Sequence, residues 1–147
     1  GFNWLAAEGI ADPVMLERPE IIPEMEKMLL TKPRSSNETI AAGKFLSLFQ
    51  QRYPGKTPGI YADYAYDATS MALMAIAYGG NDGAKIKDAL YLVGDQYKGA
   101  SGDKTFDANG DIVRSDFGIL AVKNNQMVVV GTWVEEAGKG VVTLPWE

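Results

Sequence analysis

Cysteine and histidine are both absent from this sequence of 147 residues. A chain without thiols or imidazoles cannot itself supply a cysteine nucleophile, a cysteine–histidine zinc site or a histidine general base. Any catalysis by this chain would depend on carboxylates, lysine, tyrosine, serine or threonine. An enzyme is therefore the less favoured class, although these residue types do not exclude one.

Positive charge and long apolar runs are also scarce. The chain has 14 lysines and arginines against 19 acidic residues, a formal net charge of −5. This balance argues against binding to nucleic acid, where basic residues must replace counterions, and against an anionic membrane surface. The longest stretch without a charge, Ala68–Asn81, is shorter than the roughly 20 apolar residues of a membrane-spanning helix.

Two short strands are predicted in the first part of the chain. Phe2–Ala7 is a brief apolar run, and Lys27–Pro33 is a second one that proline ends, as is typical of strands. Between them, Asp12–Met25 contains three prolines. Because proline disrupts a helix interior, this stretch predicts a helical turn and a loop.

Three helices are predicted next. Ser35–Arg52 opens with a capping box of Ser35 and Glu38, followed by apolar residues at helical spacing. Tyr61–Tyr78 is apolar on every side in its later turns, so we expect it to be buried on more than one face. Asp82 is expected to cap the third, shorter helix.

The last part of the chain predicts a loop and a hairpin. Gln96–Val113 is rich in glycine, aspartate and lysine, which is typical of a loop. Phe117–Lys123 and Met127–Trp133 are strand-like, and Asn124-Asn125 between them suits a tight turn because asparagine tolerates positive φ. The remaining tail is expected to be irregular.

This order of elements is awkward for a self-sufficient domain. One short strand at the front lacks partners, and too few other elements are present to cover the most apolar helix. We therefore expect the chain to be the back part of a larger protein. Apolar surface on the helix after Tyr61 and around Trp4 is expected to lack partners from this chain.

One carboxylate, Glu8, directly follows the first apolar run and precedes Gly9. In open α/β sheets, ligands bind just past the carboxyl ends of strands. Glu8 is therefore a candidate ligand contact, and the alternative is an ordinary polar residue at the start of a loop.

Two further groups of side chains have both a functional and a structural interpretation. Asp63 and Asp67 share one helix face and could perform acid–base chemistry, or could simply interact with the helix dipole or a basic residue. Tyr61 and its neighbours Tyr64 and Tyr66 could line a site or pack in a core.

A third candidate is the segment FDANGDIV, which spaces its acidic residues like a calcium loop. The glycine and glutamate that such a loop requires at its sixth and twelfth positions are Ile112 and Gly118 here. We therefore expect a solvent-facing turn at Asp107–Asp111 and no metal.

Several of these segments together resemble a known family. YADYAYDATSMALMAIAYGG, followed by FDANGDIVRSDFGILAVKNNQMVVVGTW, resembles the C-terminal part of the periplasmic solute-binding proteins of ABC importers, of the leucine/isoleucine/valine-binding type. AAEG and EMEKMLLTKP near the front agree with it. The resemblance implies an α/β fold, namely part of the type I periplasmic-binding-protein fold, with two Rossmann-like lobes joined by hinge crossings.

The resemblance also implies a division of the chain and a function. Residues 1–34 would belong to the second lobe, 35–116 to the first, and 117–147 again to the second. A branched-chain-like amino acid would bind between the lobes, with Glu8 accepting hydrogen bonds from its α-ammonium group and Tyr61 near its side chain.

The implied setting is outside the cytoplasm, in the periplasm or extracellular space, with or without a lipid anchor. The implied partners are the amino acid, a membrane permease, and the missing N-terminal half or a second copy, and no cofactor or catalysis is implied. Two alternatives remain open: a sensory receptor domain of the same fold, and a small carboxylate-based enzyme using Asp63 and Asp67.

Overall fold

The computed structural model describes residues 4–33, 39–113, 116–136 and 139–143. The chain divides into two compact units, one formed by Gly1–Arg34 with Ser115–Glu147 and the other by Ser35–Arg114. The assignment of these units to the two lobes of the resembled family stays a prediction.

The first unit contains the first two and the last three strands, and the second unit contains the three longer α-helices and a short hairpin. The strands are β1 (Trp4–Ala6), β2 (Met28–Pro33), β3 (Lys98–Gly99), β4 (Gly102–Asp103), β5 (Phe117–Lys123), β6 (Gln126–Glu136) and β7 (Lys139–Thr143). The α-helices are α1 (Ile22–Met25), α2 (Ile40–Arg52), α3 (Ala62–Gly79) and α4 (Gly83–Gln96), and 3-10 helices span Glu8–Ile10 and Pro13–Glu17.

The first unit is built on a five-stranded sheet of order β1-β2-β5-β6-β7, in which β1 runs parallel to β2 and the other pairs are antiparallel. On one face, Leu30, Leu120 and Val122 pack with Met25 and Ala11 from the segments between β1 and β2. β1 is an edge strand, so its end at Ala6 lies at the margin of the sheet.

The hairpin of β5 and β6 confirms the predicted turn. Asn124 and Asn125 have φ values of 52° and 58°, which match the twist of the flanking strands. The prediction of an irregular tail was wrong, because Lys139–Thr143 forms β7 and pairs with β6. Its two valines, in the run KGVVT, favour a strand.

Two helices of the second unit, α2 and α4, begin at side-chain caps. α2 starts at Ile40, with Thr39 accepting a bond from the Ala42 amide at 3.0 Å. The predicted start at Ser35 and the proposed capping box of Ser35 and Glu38 lie outside the described residues. α4 follows Asp82, which accepts bonds from two backbone amides of its first turn, as predicted.

The prediction that α3 is buried on more than one face was wrong. Its buried residues lie four positions apart along a single stripe, namely Asp67, Met71, Ala75 and Gly79. Leu73, Met74, Ile76 and Tyr78 are exposed, as is Trp4 on β1. The expectation of unpartnered apolar surface on this helix and around Trp4 is therefore confirmed. None of the described helices is both long enough and apolar enough to cross a membrane.

Candidate ligand-binding site

Glu8 lies just past the carboxyl end of β1, as the first residue of a 3-10 helix that begins two residues after Ala6. Its backbone carbonyl accepts a bond from the Ala11 amide at 2.9 Å, which closes the 3-10 turn. The side chain is partly buried. Among the described residues, no group forms a hydrogen bond or ion pair with its carboxylate. A ligand contact by Glu8 stays a prediction.

Tyr61, the second predicted site residue, belongs to the other compact unit and immediately precedes α3. Its side chain is 40% exposed, and its ring packs edge-on against Tyr64, with centroids 6.0 Å apart and an interplanar angle of 77°. The ring of Tyr64 in turn lies 5.6 Å from the Nζ atom of Lys104. The described contacts therefore place Tyr61 next to Tyr64, and Glu8 within a different unit.

Asp67, six residues further along the chain, is the centre of a buried polar cluster and is 0% exposed. Its Oδ1 atom accepts bonds from the Tyr97 hydroxyl at 3.0 Å and from the Ala100 amide at 2.8 Å. Its Oδ2 atom accepts bonds from the amide and the hydroxyl of Ser101, at 2.7 and 2.6 Å. The carboxylate thus fastens the β3–β4 hairpin to α3.

Gly99 permits this approach of the hairpin to Asp67. A Cβ atom at residue 99 would overlap the Asp67 carboxylate and would lie 2.8 Å from the Gly102 carbonyl oxygen. Only glycine leaves room for the backbone to come this close to a side chain. The run YKGASG therefore folds as a backbone cradle for one carboxylate.

Lys104 adds a buried cation to the cluster. Its Nζ atom lies 3.7 Å from Asp67 Oδ2 and donates to the Gly102 carbonyl at 3.0 Å. Burial lowers the pKa of Lys104 below its usual range, while the charges of Asp67 and Asp63 act in the opposite direction. Burial likewise raises the pKa of the Tyr97 hydroxyl, which also donates to Asp67.

This geometry favours the structural interpretation of Asp67. Both oxygens of Asp67 already accept two hydrogen bonds each, and the side chain has no access to solvent. A general acid or base must reach the proton that it transfers. The arrangement therefore offers a substrate no free oxygen at Asp67.

The FDANGDIV segment forms a turn stabilised by its own aspartate. Asp107 Oδ1 accepts bonds from the backbone amides of Asn109 and Asp111, at 2.8 and 2.9 Å. These bonds hold the pKa of Asp107 below its usual value. Among the described residues, no group of three or more acidic, cysteine or histidine side chains is arranged to hold a metal ion.

The polar cluster was missed by sequence reasoning, although one signal for it exists. Asp67 lies on the same helical stripe as Met71 and Ala75, four and eight residues later. A lone aspartate on an otherwise apolar stripe must find buried donors, because a buried charge without partners is very costly. The glycine-rich YKGASG run can supply such donors, but its distance from Asp67 along the chain hides the pairing.

Comparison with known proteins gives the fold a name. No protein-family model matches the chain. A leucine-binding protein from Thermotoga maritima MSB8 is 28% identical, with a TM-score of 0.66 over 88% of this chain and 37% of that structure. A branched-chain amino acid transporter substrate-binding protein from Streptococcus pneumoniae, solved with isoleucine, is 20% identical, with a TM-score of 0.60 over 96% of this chain and 37% of that one.

A curated relative has a different role. Glutamate receptor 2.4 of Arabidopsis thaliana is 26% identical over 160 residues, which cover 94% of this chain and 18% of the receptor. The chain thus spans less than a fifth of that relative and about a third of the solved structures. This protein has part of the type I periplasmic-binding-protein fold, the fold of the leucine- and branched-chain amino acid-binding proteins to which it is similar.

Proposed function

We propose that this chain is part of the solute-binding component of an ABC importer, which acts outside the cytoplasm and binds an amino acid with an apolar side chain. The similarity to a leucine-binding protein over 88% of the chain supports the class of ligand. The observation that carries the proposal is Glu8, a partly buried carboxylate past the end of β1 with no partner among the described residues.

The chemistry of an amino acid matches this position. An α-ammonium group donates up to three hydrogen bonds, and its positive charge complements the negative charge of a partly desolvated carboxylate. Such a charge-assisted bond contributes about 1.5–3 kcal/mol. In this proposal Tyr61 contacts the ligand side chain, a membrane permease receives the loaded protein, and the protein resides in the periplasm or extracellular space, with or without a lipid anchor.

Replacement of Glu8 by glutamine in the whole protein tests the proposal. The substitution keeps the size of the side chain and removes its charge, so the Kd for L-leucine is expected to rise about tenfold or more by calorimetry. Glu17→Gln is the matched control, because Glu17 is exposed in the next 3-10 helix and should leave the Kd unchanged. Equal affinity of the Glu8 variant and wild type would refute the role of Glu8, and a wild type that binds no amino acid would refute the function.

A second candidate is the ligand-binding region of a receptor that signals rather than transports. The match to a plant glutamate receptor over 94% of this chain favours it. The segments of the whole protein distinguish the two: a transmembrane segment and a signalling region after this fold would indicate a receptor. A secreted or lipid-anchored protein that stimulates uptake by a permease would indicate transport.

We further propose that the remainder of the whole protein covers the exposed apolar residues of α3 and β1. Exposed apolar clusters of this kind are unfavourable in a soluble monomer. The 147-residue chain by itself is therefore expected to self-associate in sedimentation and to melt without cooperativity. Leu73→Lys and Tyr78→Lys should reduce the association, since both residues lie on the exposed part of α3. A monomeric chain with a cooperative melt would contradict this proposal.

A further inference from the structure

We propose that Lys104 is a positioning residue for the ligand side chain: its ammonium group fixes the ring of Tyr64, which in turn fixes the ring of Tyr61. This inference rests on the proposed function, in which Tyr61 contacts the apolar side chain of an amino acid. It assigns a role in ligand selection to a lysine that need not touch the ligand.

Three oxygen atoms hold the Lys104 ammonium group in position. Nζ lies 3.7 Å from Asp67 Oδ2, 3.0 Å from the Gly102 carbonyl and 3.4 Å from the Asp103 carbonyl. The residue is only 9% exposed. Because these partners are a buried carboxylate and the backbone of a fastened hairpin, the ammonium group is held independently of the tyrosine that it faces.

The ring of Tyr64 faces this fixed cation at 5.6 Å. That distance lies within the range of a cation–π contact, and the attraction is stronger when the cation is withdrawn from water, as Lys104 is. Tyr64 lies three residues after Tyr61, so the two side chains are neighbours at the start of α3. Their edge-on contact at 6.0 Å transmits the position of one ring to the other.

In this proposal the charge of Lys104, rather than the volume of its side chain, holds the Tyr64 ring. The charged groups around Lys104 are Asp67 and Asp63 near the start of α3 and Asp103 on β4. Methionine at residue 104 would fill a similar space without attracting the ring, whereas arginine would retain the attraction. Lys98 on β3 is the matched control, because it is exposed and, in the part of the chain that the structure describes, forms its ion pair with Asp103, at 2.9 Å.

Binding of L-leucine and L-alanine to the whole protein by calorimetry tests the inference. Leucine extends to Tyr61 in the proposed site, and the methyl group of alanine does not. Lys104→Met is expected to raise the Kd for leucine about three- to tenfold and to change that for alanine less than about twofold. Lys104→Arg should restore the leucine-to-alanine ratio, and Lys98→Met should leave both values unchanged.

A second variant keeps the test valid if Lys104→Met fails to fold. Tyr64→Leu removes the ring and leaves the pair of Lys104 and Asp67 in place, so it should produce the same loss of discrimination. The double variant should be no worse than either single one, because both remove the same contact. An additive loss in the double variant would overturn the inference.

A ligand-free measurement separates this inference from the proposed function. The NMR signals of the Tyr61 ring should shift in Lys104→Met and stay near their wild-type positions in Lys104→Arg. Unshifted Tyr61 signals overturn the inference whatever the protein binds. Leucine binding that depends on Glu8 but keeps the same leucine-to-alanine ratio in Lys104→Met overturns the inference alone. A wild type that binds neither probe overturns both.

Discussion

Asp67→Asn is expected to lower the free energy of unfolding by about 3–5 kcal/mol, the range measured when one partner of a buried ion pair is removed. In these contacts the Asp67 side chain acts as an acceptor throughout. The donors are the Tyr97 hydroxyl, the Ala100 amide, and the amide and hydroxyl of Ser101. An asparagine amide group would turn two donors toward this set. Lys104 would also lose its buried counter-charge.

Chemical denaturation of the whole protein measures this loss. Asp88→Asn is the control, because Asp88 is exposed on α4 and forms a pair with the equally exposed Lys87. Exposed pairs of this kind contribute about 0–1 kcal/mol. If Asp67→Asn were as mild as Asp88→Asn, the hairpin would not depend on the buried carboxylate, and the cluster would lose its structural role.

The sheet of the first unit was largely predictable because its signals are local. β2 ends at Pro33, and the apolar runs of β5 and β6 flank two asparagines that accept positive φ. The missed strand, β7, forms at the free edge that β6 presents. Its existence depends on that pairing as well as on its own residues, so the short run alone did not reveal it.

The burial of α3 was harder to predict, because the hydrophobicity of a helix does not indicate which of its faces contact other elements. Alanine and methionine surround the helix, but its buried residues lie along one stripe, against which α4 and the β3–β4 hairpin pack. The same composition is compatible with burial on every side or on one. The prediction chose burial on more than one face, and the exposed residues Leu73 and Tyr78 show that this chain does not provide it.

Half of the candidate site could be inferred from the sequence. Glu8 stands out because a charge follows directly after a short apolar strand, and the structure places it past the end of that strand. The contacts from Asp67 through Lys104 and Tyr64 to Tyr61 could not be inferred. Asp67 and Lys104 are 37 residues apart, and they meet only because the glycines of the hairpin let its backbone reach α3.

The packing of α4 against α3 depends on one further glycine. Gly79 ends α3 where α4 crosses it, and it is buried. A Cβ atom there would lie 2.6 Å from the Ile86 amide nitrogen and 2.8 Å from the Ile86 Cα atom. Both atoms belong to the backbone of α4, so no side-chain rotation can relieve the overlap, and the two helices must separate.

Gly79→Ala is therefore expected to destabilise the protein by about 2–3 kcal/mol, the upper part of the range for overpacked positions. The matched control is Gly43→Ala on α2, where an added Cβ atom meets nothing within 4 Å. There the same change should stabilise by about 0.5–1 kcal/mol, because alanine favours the helix more than glycine does. Opposite signs in chemical denaturation would show that Gly79 is required by the α3–α4 contact. A stabilising Gly79→Ala would mean that the helices can separate freely, and that the α3–α4 contact does not require glycine at residue 79.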